Sequence, residues 1–292
     1  MAFSVLAVTT YWLSGMSLFD AFNHGLTSIA TGGFSTSDLS MGKFDSNLIL
    51  LEATLFMMIG SMPFFLFVRE MHGQHGVLFR DQQVRLFVTI LLVVPALLTL
   101  YRWYVSPVEF DLVNGYVSTL FNVTSVVTTT GYASEDYSAW GPLAFVLFFF
   151  LMFIGGCSGS TAGGMKVFRF QLSLIVLREQ LMRLLHPRAV FTRNYNGRAV
   201  SDEIIASMIA YTFIFLLCLL IITVALAALQ LDFITSLSGA LTVLTNVGPA
   251  LGDTIGPAGT FAPLPELAKW ILSVGMLMGR LEILSVVIVL SP

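Results

Sequence analysis

Thr128-Thr129-Thr130-Gly131-Tyr132 lies at the end of a semi-apolar stretch at 110–131 and just before an apolar run at 140–154. The reading of the whole chain turns on this segment. Two other places align with it: Ala30-Thr31-Gly32-Gly33-Phe34 and Thr245-Asn246-Val247-Gly248-Pro249. Their glycines, Gly33, Gly131 and Gly248, stand 98 and 117 residues apart. Repetition on this scale implies quasi-equivalent units around a shared axis. Each tip closes a stretch (17–33, 110–131, 232–248) that mixes Phe, Leu and Val with Ser, Thr and Asn. Such stretches are too short and too polar to cross a bilayer. They read as re-entrant half-helices, because non-helical backbone at membrane depth is tolerated only where it lines a cavity.

The surroundings of the tips are those of a membrane protein. Of 292 residues, 56% are hydrophobic and 11% charged, with a mean hydropathy of +0.86. A soluble domain carries about 25% charged residues, so a soluble or disordered chain is excluded. Apolar runs at 47–68, 86–105, 203–229 and 266–290 are long enough to be membrane helices. The apolar segment after Met1 has no basic flank and does not read as a signal peptide. It is expected to be the remainder of a membrane helix.

Charge gives an expected orientation. Ten of the 14 Lys and Arg fall at Arg69–Arg85 and Lys166–Arg198, which the positive-inside rule makes cytoplasmic. The tips then enter from the outside. That side carries Asp20, Asp38, Asp45, Glu52, Asp111, Glu135, Asp232 and other acids, readable as a cation-concentrating vestibule or as plain solvated loop charge. Net charge is −3, which suggests no nucleic-acid partner. Cys157 and Cys218 lie in apolar stretches without ligand spacing, so neither a disulfide nor a zinc site is expected. His72, His75 and His186 fall on the basic side and read as surface residues.

The tips suit a dehydrated cation, which needs several oxygens in place of its water shell. Backbone carbonyls of a loop with a residue at positive φ supply them, and Thr adds hydroxyl oxygen with little bulk. A half-helix ending at the tip aims its negative dipole end at the ion. Asp20, Asp111 and Asp232 are expected to cap these half-helices. One Thr-Gly tip alone is an ordinary loop; three of them on equivalent hairpins point to a filter.

Gly155-Gly156-Cys157-Ser158-Gly159-Ser160-Thr161-Ala162-Gly163-Gly164 interrupts an apolar helix that resumes at Val167. It reads either as a kink for close helix packing or as a flexible loop beneath the tips. A lone Arg280 in a long apolar helix reads as snorkelling, as a pair with Glu282, or as a group facing the pore and contacting that loop.

With these residues in hand, the chain resembles the TrkH/KtrB/HKT superfamily of potassium transporters, and within it bacterial TrkH. The three tips, Gly155 to Lys166 and Arg280-Leu281-Glu282 carry the likeness, which extends over essentially the whole chain. It implies an all-α polytopic membrane protein of helix–pore-loop–helix repeats around one pseudo-fourfold pore. Three repeats are expected here: 1–68 as the second, 86–184 as the third and 203–292 as the fourth. The segments 69–85 and 185–202 are then cytoplasmic connections, and the chain reads as a fragment lacking the first repeat. The resemblance implies potassium uptake through a filter formed by Ala30, Thr31, Gly32, Gly33, Thr128, Thr129, Thr130, Gly131, Thr245, Asn246, Val247 and Gly248. Gating falls to Gly155, Gly156, Gly159, Gly163, Gly164, Lys166 and Arg280. K⁺ is the transported ion and no cofactor is expected. The implied setting is the cell inner membrane, as a homodimer with a cytoplasmic nucleotide-binding subunit of TrkA type. The chain itself has no Walker or Rossmann motif.

Two other classes share features with this chain. Gly156-Cys157-Ser158-Gly159 matches the G-x-S-G of rhomboid proteases, but no histidine follows His186 to serve as base. An ion-coupled transporter, using Na⁺ or H⁺, also has broken helices.

Overall fold

The computed structural model describes residues 1–106, 110–186, 188 and 191–281. Among them the chain is helical apart from a two-stranded hairpin pairing β1 (Asn194–Tyr195) with β2 (Arg198–Ala199). One plan is repeated three times: helix, short helix ending at a tip, helix. The first unit comprises α1 (Ala2–Leu13), α2 (Leu18–Ile29) and α3 (Asn47–Gly60). After α4 (Phe64–Met71) and α5 (Val77–Arg80), the second runs through α6 (Gln82–Val105), α7 (Leu112–Val127), α8 (Pro142–Leu151) and α9 (Val167–Leu185). The third holds α10 (Asp202–Ala228), α11 (Phe233–Thr245) and α12 (Glu266–Arg280). Residues 282–290 of the expected last span, Glu282 among them, lie outside the described residues.

Among the described residues, α6 and α10 are each long and apolar enough to cross a membrane. Their 24 and 27 residues extend about 36 and 40 Å at 1.5 Å per residue. Side chains such as Leu92, Phe213, Leu220 and Val224 face outward, as lipid contact requires. The apolar run at 47–68 is not one straight helix. α3 and α4 meet at 89° across Ser61-Met62-Pro63. Pro63 disfavours helix in the residue before it and brings no N–H to close the previous turn. The expected break in the helix at 140–154 is present: α8 stops at Leu151 and α9 begins at Val167.

The tip helices α2, α7 and α11 have 12, 16 and 13 residues, too few to span about 30 Å of hydrocarbon. Asp111 and Asp232 cap as expected: Asp111 Oδ1 accepts from Val113 N at 2.9 Å, and Asp232 Oδ2 from Thr235 N at 3.0 Å. Asp20 does not. Ser17 is the cap, accepting from Asp20 N at 3.1 Å, and Asp20 sits inside the first turn. Ser17 Oγ also donates to Asp20 Oδ2 at 2.8 Å, so the two side chains are bonded to each other.

Packing places α7 and α11 at the centre, whereas α2 leaves Leu18, Phe19 and Phe22 exposed. α7 buries ten of its residues, including Thr119, Asn122, Thr124 and Ser125, and α11 is buried as thoroughly. Phe121 and Val117 of α7 belong to the core of the first unit, whereas Val123, Val126 and Val127 belong to that of the other two. α7 thus joins the apolar cores across the axis on which the tips meet.

Candidate ion pathway

The three tips share a backbone. Thr31, Thr129 and Asn246 take φ of 48°, 55° and 57°, and two residues on Gly33, Gly131 and Gly248 take 66°, 83° and 112°. Each tip helix closes with the same six-residue turn: Gly32 N to Thr27 O at 2.8 Å, Thr130 N to Ser125 O at 2.9 Å, Val247 N to Thr242 O at 3.1 Å. This is a Schellman-type closure, with Thr or Asn where glycine is usual. A β-branched residue at positive φ is strained, and such strain persists only where the surroundings impose it.

The tips also stack in cyclic order. A Cβ on Gly33 would overlap the Thr130 carbonyl oxygen, and one on Gly131 would overlap that of Val247. Gly33 and Gly131 therefore each back onto the carbonyl that precedes the glycine of the next tip. At Gly248 the nearest neighbour of an added Cβ is Gly131 Cα at 3.8 Å, so the arc is open there. It is open at the other end as well. Tyr132, which follows Gly131, is buried, and its hydroxyl lies 2.5 Å from Thr27 Oγ1 of the preceding unit. Its counterpart Phe34 is 76% exposed. The twelve tip residues named from sequence are thus brought together, and none carries an ionisable side chain.

Sequence reading missed a set of hydroxyls behind the tips. Thr27 Oγ1 donates to Phe34 O at 3.0 Å, Ser125 Oγ to Tyr132 O at 2.7 Å, and Thr242 Oγ1 to Pro249 O at 2.9 Å. The available signal was a hydroxyl residue six positions before each tip glycine.

The 155–164 loop lies against the tips. Gly163 N donates to Thr129 Oγ1 at 2.6 Å, Thr161 Oγ1 lies 3.3 Å from Thr31 Oγ1, and a Cβ on Gly163 would meet the Thr245 carbonyl. All three tips are touched. The loop is tied back to the α3–α4 break by Thr161 N to Gly60 O at 3.2 Å and Cys157 N to Ser61 O at 2.9 Å. Its ends meet through Gly155 N to Met165 O at 2.8 Å. Gly155, Gly156 and Gly164 permit this close approach, while Gly159 O accepts from Phe64 N at 3.1 Å. Lys166 Nζ donates to Ala162 O. Arg280 Nη1 donates to Thr161 O at 3.1 Å, so α12 reaches the loop. Beneath lies a cavity of about 680 Å³ lined by Ser160, Gly164, Lys166, Glu203, Ser207 and Arg280.

The acids expected to form an outer vestibule are mostly engaged. Asp20 pairs with Lys43 at 3.3 Å, Glu135 with Arg102 at 3.2 Å, Glu52 accepts from Ser14 Oγ at 2.6 Å, and Asp111 and Asp232 cap helices. They are structural groups more than free field. Ser158, the candidate rhomboid nucleophile, donates its backbone N–H to Gln83 Oε1 at 2.8 Å. Among the described residues no cluster of three or more His, Cys, Asp or Glu is placed to hold a metal ion. Cys157 and Cys218 are buried free thiols and are not joined to each other.

A family model described as TrkH, cation transport protein, matches residues 1–292. The chain belongs to the TrkH family. It is 50% identical over 291 residues to the Trk system potassium uptake protein TrkI of Halomonas elongata, covering 99% of this chain and 58% of that protein. It is 36% identical over 304 residues to the Trk system potassium uptake protein TrkH of Vibrio parahaemolyticus, covering 100% of this chain and 60% of the relative. The crystal structure of the potassium transporter TrkH from Vibrio parahaemolyticus superposes with a TM-score of 0.92 at 32% identity, over 100% of this chain and 62% of that one. The chain therefore spans about three fifths of the length of these relatives. They are transport proteins of a membrane family, not enzymes.

Proposed function

We propose that this TrkH-family chain conducts potassium ions along the axis between its three tips, as the names of its relatives suggest. The cyclic stacking of Gly33, Gly131 and Val247–Gly248 carries the reading, because it sets a tip carbonyl of one unit against the tip glycine of the unit before it and gathers the tips on one axis. With no ionised side chain on the tips, selection falls to those carbonyls. A fourth quasi-equivalent tip would close the arc between Gly248 and Phe34. The 155–164 loop is the gate: it blocks the inner side of the tips, and Arg280 on α12 holds it shut. Transport is into the cell across the inner membrane, with the basic segments cytoplasmic. Nucleotide control comes from a docked subunit of TrkA type, and the protein works as a homodimer.

The test uses the full-length protein in cells deficient in potassium uptake. Wild type restores growth at low potassium, and Gly131→Ser weakens discrimination against sodium. Failure to restore growth, or an unchanged K⁺/Na⁺ flux ratio in Gly131→Ser, overturns the reading.

A further inference from the structure

We infer that Thr27, Ser125 and Thr242 are positioning residues that set ion discrimination, by turning the carbonyl beyond each tip glycine away from the ion axis and fixing it there. The inference rests on the proposed filter and deepens it. Each hydroxyl sits six residues before its glycine and bonds the carbonyl one residue after it, so all three bonds span seven residues in the same sense. The acceptors are Phe34, Tyr132 and Pro249, so the geometry recurs although the side chains it serves do not.

Ordinary Ser and Thr bonds within a helix reach back to the carbonyl three or four residues earlier. These reach forward, past the helix end and across the tip. Ser125 and Thr242 are buried, and each commits its single proton to this carbonyl. Thr242 also accepts from Gly248 N at 3.0 Å, gripping the tip glycine from both sides. Thr27 is shared more widely. Its hydroxyl lies 2.8 Å from Asn23 O and 2.5 Å from the Tyr132 hydroxyl as well, which makes it the weakest of the three and ties it to the next unit.

The physical consequence concerns the glycine. A tip glycine at positive φ is the most permissive residue in its segment, so its own carbonyl keeps one direction only if its neighbours are fixed. The helix closure fixes the residue before it. The hydroxyl fixes the one after. The column of ion-facing carbonyls then ends at Gly33, Gly131 and Gly248, because the next carbonyl is turned to the tip helix.

The experiment measures relative Na⁺ and K⁺ permeability of the full-length protein in proteoliposomes. Ser125→Ala and Thr242→Val remove the hydroxyl, Thr242→Ser keeps it, and Gly131→Ser is run alongside. The expected result is a rise in relative Na⁺ permeability of about fivefold in Ser125→Ala and Thr242→Val, the ratio one lost hydrogen bond of ordinary strength gives. Thr242→Ser keeps the wild-type ratio. An unchanged ratio in both hydroxyl-deleted variants overturns the inference, and so does an equal shift in Thr242→Ser, which marks a packing effect. If Gly131→Ser alone shifts the ratio, the filter stands and the positioning role falls. If Gly131→Ser does not shift it either, the filter reading itself fails. Should Ser125→Ala yield no protein, the Thr242 pair decides.

Discussion

Thr31 and Thr129, at φ of 48° and 55°, are β-branched residues held where glycine is usual. Their neighbours pay the strain: the six-residue closures, the hydroxyls behind the tips and the loop bonds to both Thr side chains over-determine the conformation. The glycines two positions on have no such latitude. Gly33→Ala places a methyl on a backbone carbonyl of the neighbouring unit, at a positive φ that L side chains rarely adopt. Loss of potassium uptake at normal membrane insertion is expected, whereas Gly32→Ala, which meets the Phe34 ring at 3.5 Å and Thr27 O at 3.9 Å, both ordinary contacts, retains folded protein. Uptake assays and membrane-fraction yields of the full-length variants distinguish the two. The glycines were legible in the sequence because a carbonyl-lined turn needs positive φ. The hydroxyls at 27, 125 and 242 were not, since a Ser or Thr in a half-polar helix has many ordinary explanations. Asp20 was misread for a related reason: Ser17 and Asp20 are both good cap residues, and only the bond from Asp20 N to Ser17 Oγ shows which one starts the helix.

At the scale of elements, the loop between α8 and α9 was legible as a break because its small residues make poor helix. Its anchorage was not. The carbonyls of Gly60 and Ser61 are free to accept from Thr161 and Cys157 because α3 ends there, and that ending was hidden inside a continuous apolar run. Thr161 is the common point: its one hydroxyl proton is shared between Gly60 O at 2.9 Å and Ile29 O at 3.0 Å, and its carbonyl accepts from Arg280. Removing the guanidinium frees the loop on the α12 side. Arg280→Ala should raise basal flux in the full-length protein; a variant with wild-type basal flux contradicts the gate. Thr161→Val removes the one hydroxyl donor that Gly60 O and Ile29 O share and should act in the same direction, and adding it to Arg280→Ala should give less than the sum of the two effects because they share a partner.

At the scale of the molecule, the ion-paired end of α9 and the arc of tips are separate matters. The end of α9 is tied to the segment before α10 by Glu179, which is buried and accepts from Arg193 and from Arg183 Nη2 at 2.6 Å. Bonding to Arg193, and then to Arg183, holds its carboxyl below the usual carboxylate range. The stabilisation is therefore fully present above the unfolded value, about 4.3, and is lost as pH falls through the lower folded value. Melting temperature of the full-length protein should fall on acidification through this window, and Glu179→Gln should remove part of that dependence; parallel curves for the two proteins contradict the assignment. The arc itself was legible as a repeat, but its direction of stacking needed coordinates. Anomalous diffraction from crystals of the full-length protein soaked in thallium(I), a stand-in for potassium, tests the central claim most directly. The account expects density on the axis beside the carbonyls of Gly32, Thr130 and Val247. Thallium found only in the cavity beneath the loop, or only against acidic side chains, would contradict it.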